Sequence, residues 1–222
     1  HLTTEDGLAH NMSFSICQDR EGHIWAGNSS SSYGSGSGAH LSRFDGQTWT
    51  TLNIPGQGGS GAVNYIHKDR KKNLWFAAYG GGVSRYDGEN WITFTTEDGL
   101  AGNDAWGILQ DRAGTMWFGT GSGKLSRYDG ETFTTFTTED GLASNRIWGI
   151  CQDKKGAMWF ASSGGVSRFD GETFTTFTTE DGLVGAWTIF EDRTGHLWFA
   201  TGGGVSRYDG ETFTTFTTED GL

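Results

Sequence analysis

The sequence predicts an all-β protein, a β-propeller of five blades with four antiparallel strands in each. Three observations carry that reading. A Ser-Arg-aromatic-Asp-Gly motif recurs at 42–46, 84–88, 126–130, 167–171 and 206–210, its arginines 42, 42, 41 and 39 residues apart. A tryptophan recurs in step with it, at Trp25, Trp75, Trp117, Trp159 and Trp198. Each unit then divides into four short runs rich in aromatic and β-branched residues, with no 3.6-residue apolar stripe of helical length.

Residues 103–136 show the elements in order. Ala105 to Leu109 forms a first run, with Trp106 and Ile108 on one face. Asp111-Arg112-Ala113-Gly114 reads as a four-residue turn, with glycine where a positive φ is wanted. Met116 to Thr120 is the second strand, and Gly121 to Gly123 ends it. Leu125 to Tyr128 is the third. Asp129-Gly130 is the signal for a two-residue type I′ hairpin, which needs positive φ at both positions. Thr132 to Phe136 is the fourth. A four-stranded sheet with two apolar faces must be sandwiched between copies of itself, and a ring gives every sheet two neighbours. The five Trp are therefore expected in the core.

The predicted blades are 9–52, 53–94, 95–136, 137–177 and 178–216, together forming one domain. Thr-Thr-Glu-Asp-Gly-Leu links one blade to the next. It also stands at both ends of the chain, at 3–8 and 217–222. A closed ring needs only one of these two copies, so a closed five-blade ring is expected with one end fraying. A head-to-tail oligomer or a longer array is the alternative. Residues 131–142, 172–183 and 211–222 are identical, which points to recent duplication.

Composition excludes several function classes. The 222 residues carry 16 Lys plus Arg against 27 Asp plus Glu, a net charge of −11. No basic track is present to displace counterions from nucleic acid. No apolar run is long enough to span a membrane as a helix. No signal peptide is visible, and the chain opens at His1 without Met, as a processed form or an excerpt would. Cys17 and Cys151 occupy the same position in non-neighbouring units, too far apart for a bridge, so two free thiols are expected.

The pattern Ile-x-x-Asp-x-x-Gly-x-x-Trp-Phe-Gly-Thr, Gly-Gly-Val-Ser-Arg-Tyr-Asp, Phe-Thr-Thr-Phe resembles the two-component regulator propeller repeat. Ile189 to Phe216 reads it almost cleanly, with Ala200 in place of Gly. The resemblance covers nearly the whole chain. It implies the innermost position for the first strand of each blade. It also implies a periplasmic or extracellular sensor module of the kind attached to bacterial histidine kinases, often tied to polysaccharides.

The candidate site follows from where the repeat breaks. The loop between the second and third strands of blade 1 is long and runs from Asn28 through Tyr33 to His40. The connector after that blade loses its acidic motif and carries Gln57. Both irregularities are expected on one face of the disc, where loops take ligands; a tolerated flexible insertion is the plainer alternative. The residues two before the first-strand Ile are Phe14, Asn64, Trp106, Trp148 and Trp187. Their aromatics could line the channel mouth and stack on a sugar, or pack between blades. The expected ligand-binding set is thus Asn28, Tyr33, His40, Gln57, Asn64, Trp106, Trp148 and Trp187.

The Glu-Asp pairs of the connectors could ring a Ca²⁺, but their spacing is not that of an EF-hand loop, so no metal and no other cofactor is expected. The third-strand arginines, Arg43, Arg85, Arg127, Arg168 and Arg207, are expected to pair with blade carboxylates. No nucleophile elbow, His-x-x-x-His or phosphate loop occurs. The reading is a non-catalytic ligand-binding or sensing module for a small molecule, a glycan or a protein partner. One alternative is a self-associating structural protein. The other is a lyase or hydrolase using His40 with Glu5 or Asp6.

Overall fold

The computed structural model describes residues 3–29, 41–57, 62–121, 124–144 and 146–222. Blade 1 holds β1 (Met12–Gln18), β2 (Ile24–Ser29), β3 (Leu41–Phe44) and β4 (Trp49–Leu52). Blade 2 holds β5 (Val63–Lys68), β6 (Leu74–Ala78), β7 (Gly82–Tyr86) and β8 (Trp91–Phe94). Blade 3 holds β9 (Ala105–Gln110), β10 (Met116–Thr120), β11 (Leu125–Tyr128) and β12 (Phe133–Phe136). Blade 4 holds β13 (Ile147–Gln152), β14 (Met158–Ser162), β15 (Gly165–Phe169) and β16 (Phe174–Phe177). Blade 5 holds β17 (Ala186–Glu191), β18 (Leu197–Thr201), β19 (Gly204–Tyr208) and β20 (Phe213–Phe216). Each sheet is an antiparallel meander in chain order, so the molecule is a five-bladed β-propeller.

The blade core rests on one repeated contact. In blades 1 to 4 the Trp of the second strand packs on the Phe that follows the Trp of the next blade. The ring centroids lie 5.6 Å apart for Trp25 and Phe76, and 5.5 Å for both Trp75 and Phe118 and Trp117 and Phe160. For Trp159 and Phe199 the distance is 6.2 Å. The second strands are therefore covered on both faces, which is why β6, β10 and β14 are buried along their whole length. Each ring removes about 150–250 Å² from water, at roughly 25 cal/mol per Å².

An indole N–H inside such an interface needs an acceptor. The Asp-x-x-Gly turn supplies it in every blade: the Trp Nε1 donates to a carboxylate six residues earlier, on Asp19, Asp69, Asp111, Asp153 and Asp192, at 2.7–2.9 Å. The turn is thus a fastening between backbone and core as well as a reversal. The third-strand arginines face the same rings. Arg43, Arg85, Arg127 and Arg168 lie over Trp25, Trp75, Trp117 and Trp159 at 5.5–6.0 Å, in place of the carboxylate pairing expected. Antiparallel register sets each Arg directly opposite its Trp, so the guanidinium lies over the ring; Arg43 also meets the His23 ring at 2.9 Å.

The Asp-Gly hairpins also differ from expectation. Phe44 pairs with Trp49, leaving a four-residue loop of 45–48. Only its glycine takes positive φ, 100° at Gly46. Asp45 Oδ1 accepts from the N–H groups of Gln47 and Thr48, each at 2.8 Å, so the aspartate acts as an acceptor and not as a left-handed residue.

The seam between blades 5 and 1 differs from the other junctions. Apolar clusters bridge blades 1 and 2, 2 and 3, 3 and 4, and 4 and 5. Among the described residues none bridges 5 and 1. Trp198, expected in the core, stacks on Phe216 of its own blade and is only half-buried. Blade 1 has Ala26 where the other blades have Phe, so the acceptor for that Trp is missing.

Candidate functional site

The first strand of every blade carries a β-bulge at one equivalent place. The register slips between Ser13 and Ser15, Val63 and Tyr65, Ala105 and Gly107, Ile147 and Gly149, and Ala186 and Thr188. The skipped residues are Phe14, Asn64, Trp106, Trp148 and Trp187. A bulge adds one residue against a partner strand and re-aims its side chain. Here it turns five side chains toward one cavity of about 490 Å³, walled by the first strands of all five blades.

Small residues let these strands approach. A Cβ on Gly107 would stand 2.6 Å from the Trp148 carbonyl oxygen, and one on Gly149 would stand 2.8 Å from that of Trp187. Blade 2 departs by one place: Tyr65 occupies the small-residue position beside Asn64 and also lines the cavity. All five blades therefore contribute an aromatic ring, namely Phe14, Tyr65, Trp106, Trp148 and Trp187. Sequence reasoning missed Tyr65 because its ring sits one residue out of phase; the pair Asn64-Tyr65 against Trp106-Gly107 is the signal that marks it.

The wall is uncharged. Besides the rings it presents Ile108, Ile150, Ile189, Thr188 and glycine. Burial, and to a smaller degree the Cys17 sulfur, pushes the Tyr65 phenol above its ordinary pKa, so it remains a neutral donor. Asn64 is 7% exposed; its Nδ2 donates to the Ala105 carbonyl at 2.9 Å, while its buried Oδ1 has no hydrogen-bond partner. A buried acceptor left unmet costs about 1–3 kcal/mol. Asn64 thus ties the bulge of blade 2 to the first strand of blade 3, with its amide closed off from solvent.

The other candidate residues are not brought to this place. Asn28 is completely buried inside blade 1, donating to Ser13 Oγ and the His10 carbonyl and accepting from Ser42 Oγ at 2.7 Å. It is a tie between strands, with no free polar atom for a ligand. Gln57 is also buried, its Nε2 donating to Ser84 Oγ at 2.9 Å. In blades 1, 3 and 4 the equivalent serine receives a backbone N–H from Ala9, Ala101 or Ala143. The irregular connector has lost that donor, and the Gln57 side chain replaces it. Tyr33 and His40, with most of the long loop, lie outside the described residues.

The connector aspartates are also engaged. Asp6, Asp98, Asp140, Asp181 and Asp220 each accept from the N-cap threonine of their own 3₁₀ turn. A closer acidic group, Asp19, Glu21 and His23, lies in the first turn of blade 1. Burial alone would raise the Asp19 pKa. The bonds from the Trp25 indole and from His23 outweigh that and hold it below the ordinary value. This carboxylate does the same fastening as its four repeats. Cys17 and Cys151 are both free, and burial pushes the Cys151 thiol up to about 11.

Comparison with known proteins places these features in a family of folds. The sequence profile described as two component regulator propeller matches residues 7–30, 99–122 and 141–164. No curated protein sequence matches the chain. Among solved structures, the extracellular domain of a protein from B. thetaiotaomicron assigned as a hybrid two component system aligns with a TM-score of 0.82. The identity is 24%, over 97% of this chain and 30% of that one. An extracellular domain from the same organism, assigned as a one component system, gives 0.70 at 21% identity, over 93% and 31%. Virginiamycin B lyase from Staphylococcus aureus gives 0.71 at 17%, over 97% and 72%. The chain thus spans under a third of the two extracellular domains. What is shared at these identities is the propeller itself.

Proposed function

We propose that this chain, which carries two component regulator propeller repeats, is a non-catalytic ligand-binding or sensing module whose site is the axial cavity. The observation that carries the reading is the convergence of five aromatic rings on a single cavity. Aromatic faces with few polar groups suit a neutral, ring-shaped ligand of the kind a sugar presents. The uncharged wall and the net charge of −11 both disfavour anionic ligands. A periplasmic or extracellular location is part of this proposal, and likeness to the extracellular domains supports it.

The likeness to a lyase does not favour catalysis. Acid–base chemistry needs a titratable pair within reach of substrate. Among the described residues the cavity wall carries no histidine, carboxylate, lysine or cysteine.

The test is a titration of neutral oligosaccharides followed by tryptophan fluorescence, on the intact chain and on Trp106→Ala and Trp148→Ala. Each substitution is expected to weaken binding about 10-fold or more. Binding that both variants retain in full would move the site elsewhere, and a panel without any binder would remove the sugar reading.

A further inference from the structure

We propose that a groove between blades 4 and 5 is a second subsite that continues the axial cavity outward, so that the ligand has at least two neutral sugar rings in a chain, one on the axis and the next in the groove. This rests on the reading of the axial cavity above. The groove has a volume of about 420 Å³ and is lined by Trp148, Trp187, Ser163, Val184 and the glycines at 185, 202 and 203. Trp148 and Trp187 also wall the axial cavity, so the two spaces meet at these rings.

The groove exists because the repeat is short at one place. Phe14, Trp106 and Trp148 each stand six residues after the connector leucine, at Leu8, Leu100 and Leu142, whereas Trp187 stands four after Leu183. That deletion accounts for the 39-residue step between the last two arginines, against 41 before it. Between blades 2 and 3 the longer connector lies over the loop of blade 2. The Asn103 carbonyl accepts from the Gly82 N–H at 2.8 Å, and Asp104 Oδ1 accepts from the Gly80 N–H at 2.9 Å. The connector into blade 5 has only Val184, Gly185 and Ala186 for the same crossing. A Cβ on Gly185 would collide with the Ser163 carbonyl oxygen, so this connector passes blade 4 as bare backbone.

The protein's own side chains show what this place accepts. Just after β6, Tyr79 sets its ring edge-on to Trp106, with 6.3 Å between centroids. The residue just after the second strand is Ser163 in blade 4 and Gly202 in blade 5. Where blade 2 places a ring against the next tryptophan, the groove therefore offers space beside Trp187. A ring carried by the ligand fills it against a tryptophan already in place. Like the axial wall, the groove carries no charged side chain. Its one side-chain hydroxyl, on Ser163, is held by Ser144 Oγ at 2.9 Å, an oriented polar group of the kind that suits a neutral sugar.

The experiment is titration calorimetry on the intact chain with graded series of neutral oligosaccharides, from the single sugar upward, built of glucose, mannose, galactose or xylose. In a series that binds, affinity is expected to rise about 10-fold from the single sugar to a short chain and to level off beyond it. Ser163→Tyr and Gly202→Tyr should each abolish that rise by filling the groove, while the single sugar keeps its affinity. Both positions are exposed. Gly202 has no positive φ, and a Cβ there meets nothing within 4 Å, so the fold should accept the change. An affinity independent of chain length, or a rise that both variants keep, overturns the groove and leaves the axial site standing. A chain that binds no member of any series loses both.

Discussion

Lys72 is the one described residue other than glycine with positive φ, at 71°. It sits where the other first turns carry Gly22, Gly114, Gly156 and Gly195, in a conformation that costs an L-residue about 1–2 kcal/mol. Lys72→Gly should therefore raise stability by roughly 1 kcal/mol, less the small cost of a more flexible unfolded chain. Urea unfolding at fixed pH measures it, and a lower midpoint would show that the lysine makes a compensating contact. At this scale the sequence was legible wherever the repeat held. The Asp-x-x-Gly turns and the free thiols followed from pattern alone. Asn28 and Gln57 did not: both looked like ligand-facing irregularities, yet each satisfies a buried partner that one sequence line cannot display.

A blade is held together by its turn aspartate. Asp153 accepts from the Ala157 N–H and the Trp159 indole, both at the blade 4 core. Asp153→Ala would strand two buried donors, each costing about 1–3 kcal/mol. We expect a loss of roughly 2–5 kcal/mol by chemical denaturation, with Trp159 fluorescence shifted in the folded state. A loss below 1 kcal/mol would mean that water or a neighbour replaces the carboxylate. Strands and their order were readable from the alternation of aromatic runs and glycine-rich turns. The bulge in each first strand was not, because an extra residue leaves no compositional trace. Knowledge of the bulge is what converts Phe14, Trp106, Trp148 and Trp187 from plausible packing residues into the wall of a cavity.

Across the whole molecule, the carboxylates set the response to acid. Asp45, Asp87, Asp129, Asp170 and Asp209 are each held below the usual 3.8 by backbone N–H bonds from their hairpins. Hydrogen bonds from Thr194 and Trp198 lower Asp192 as well. A lowered carboxylate stabilises the fold above its unfolded pKa and ceases to as pH falls through the folded one. His67 adds a step at higher pH, because burial keeps it neutral below 6.5 and protonation opposes folding there. Melting temperature should slip below pH 6.5 and fall steeply below about 4. A melting temperature unchanged at pH 3 would show that the hairpin bonds add nothing. Fold class was legible at this scale because repeats state it five times over. The seam between blades 5 and 1 was less legible, because Ala26 breaks there the Trp-Phe pairing that the other blades repeat. The bulge has a last consequence for how such a protein can change. None of the apolar clusters that join the blades uses the bulged side chain, so the inner wall can be rewritten one letter at a time while that core stays constant. Phenylalanine, asparagine and three tryptophans already occupy that one position here, an alphabet in which new preferences can be spelled without redesigning the frame.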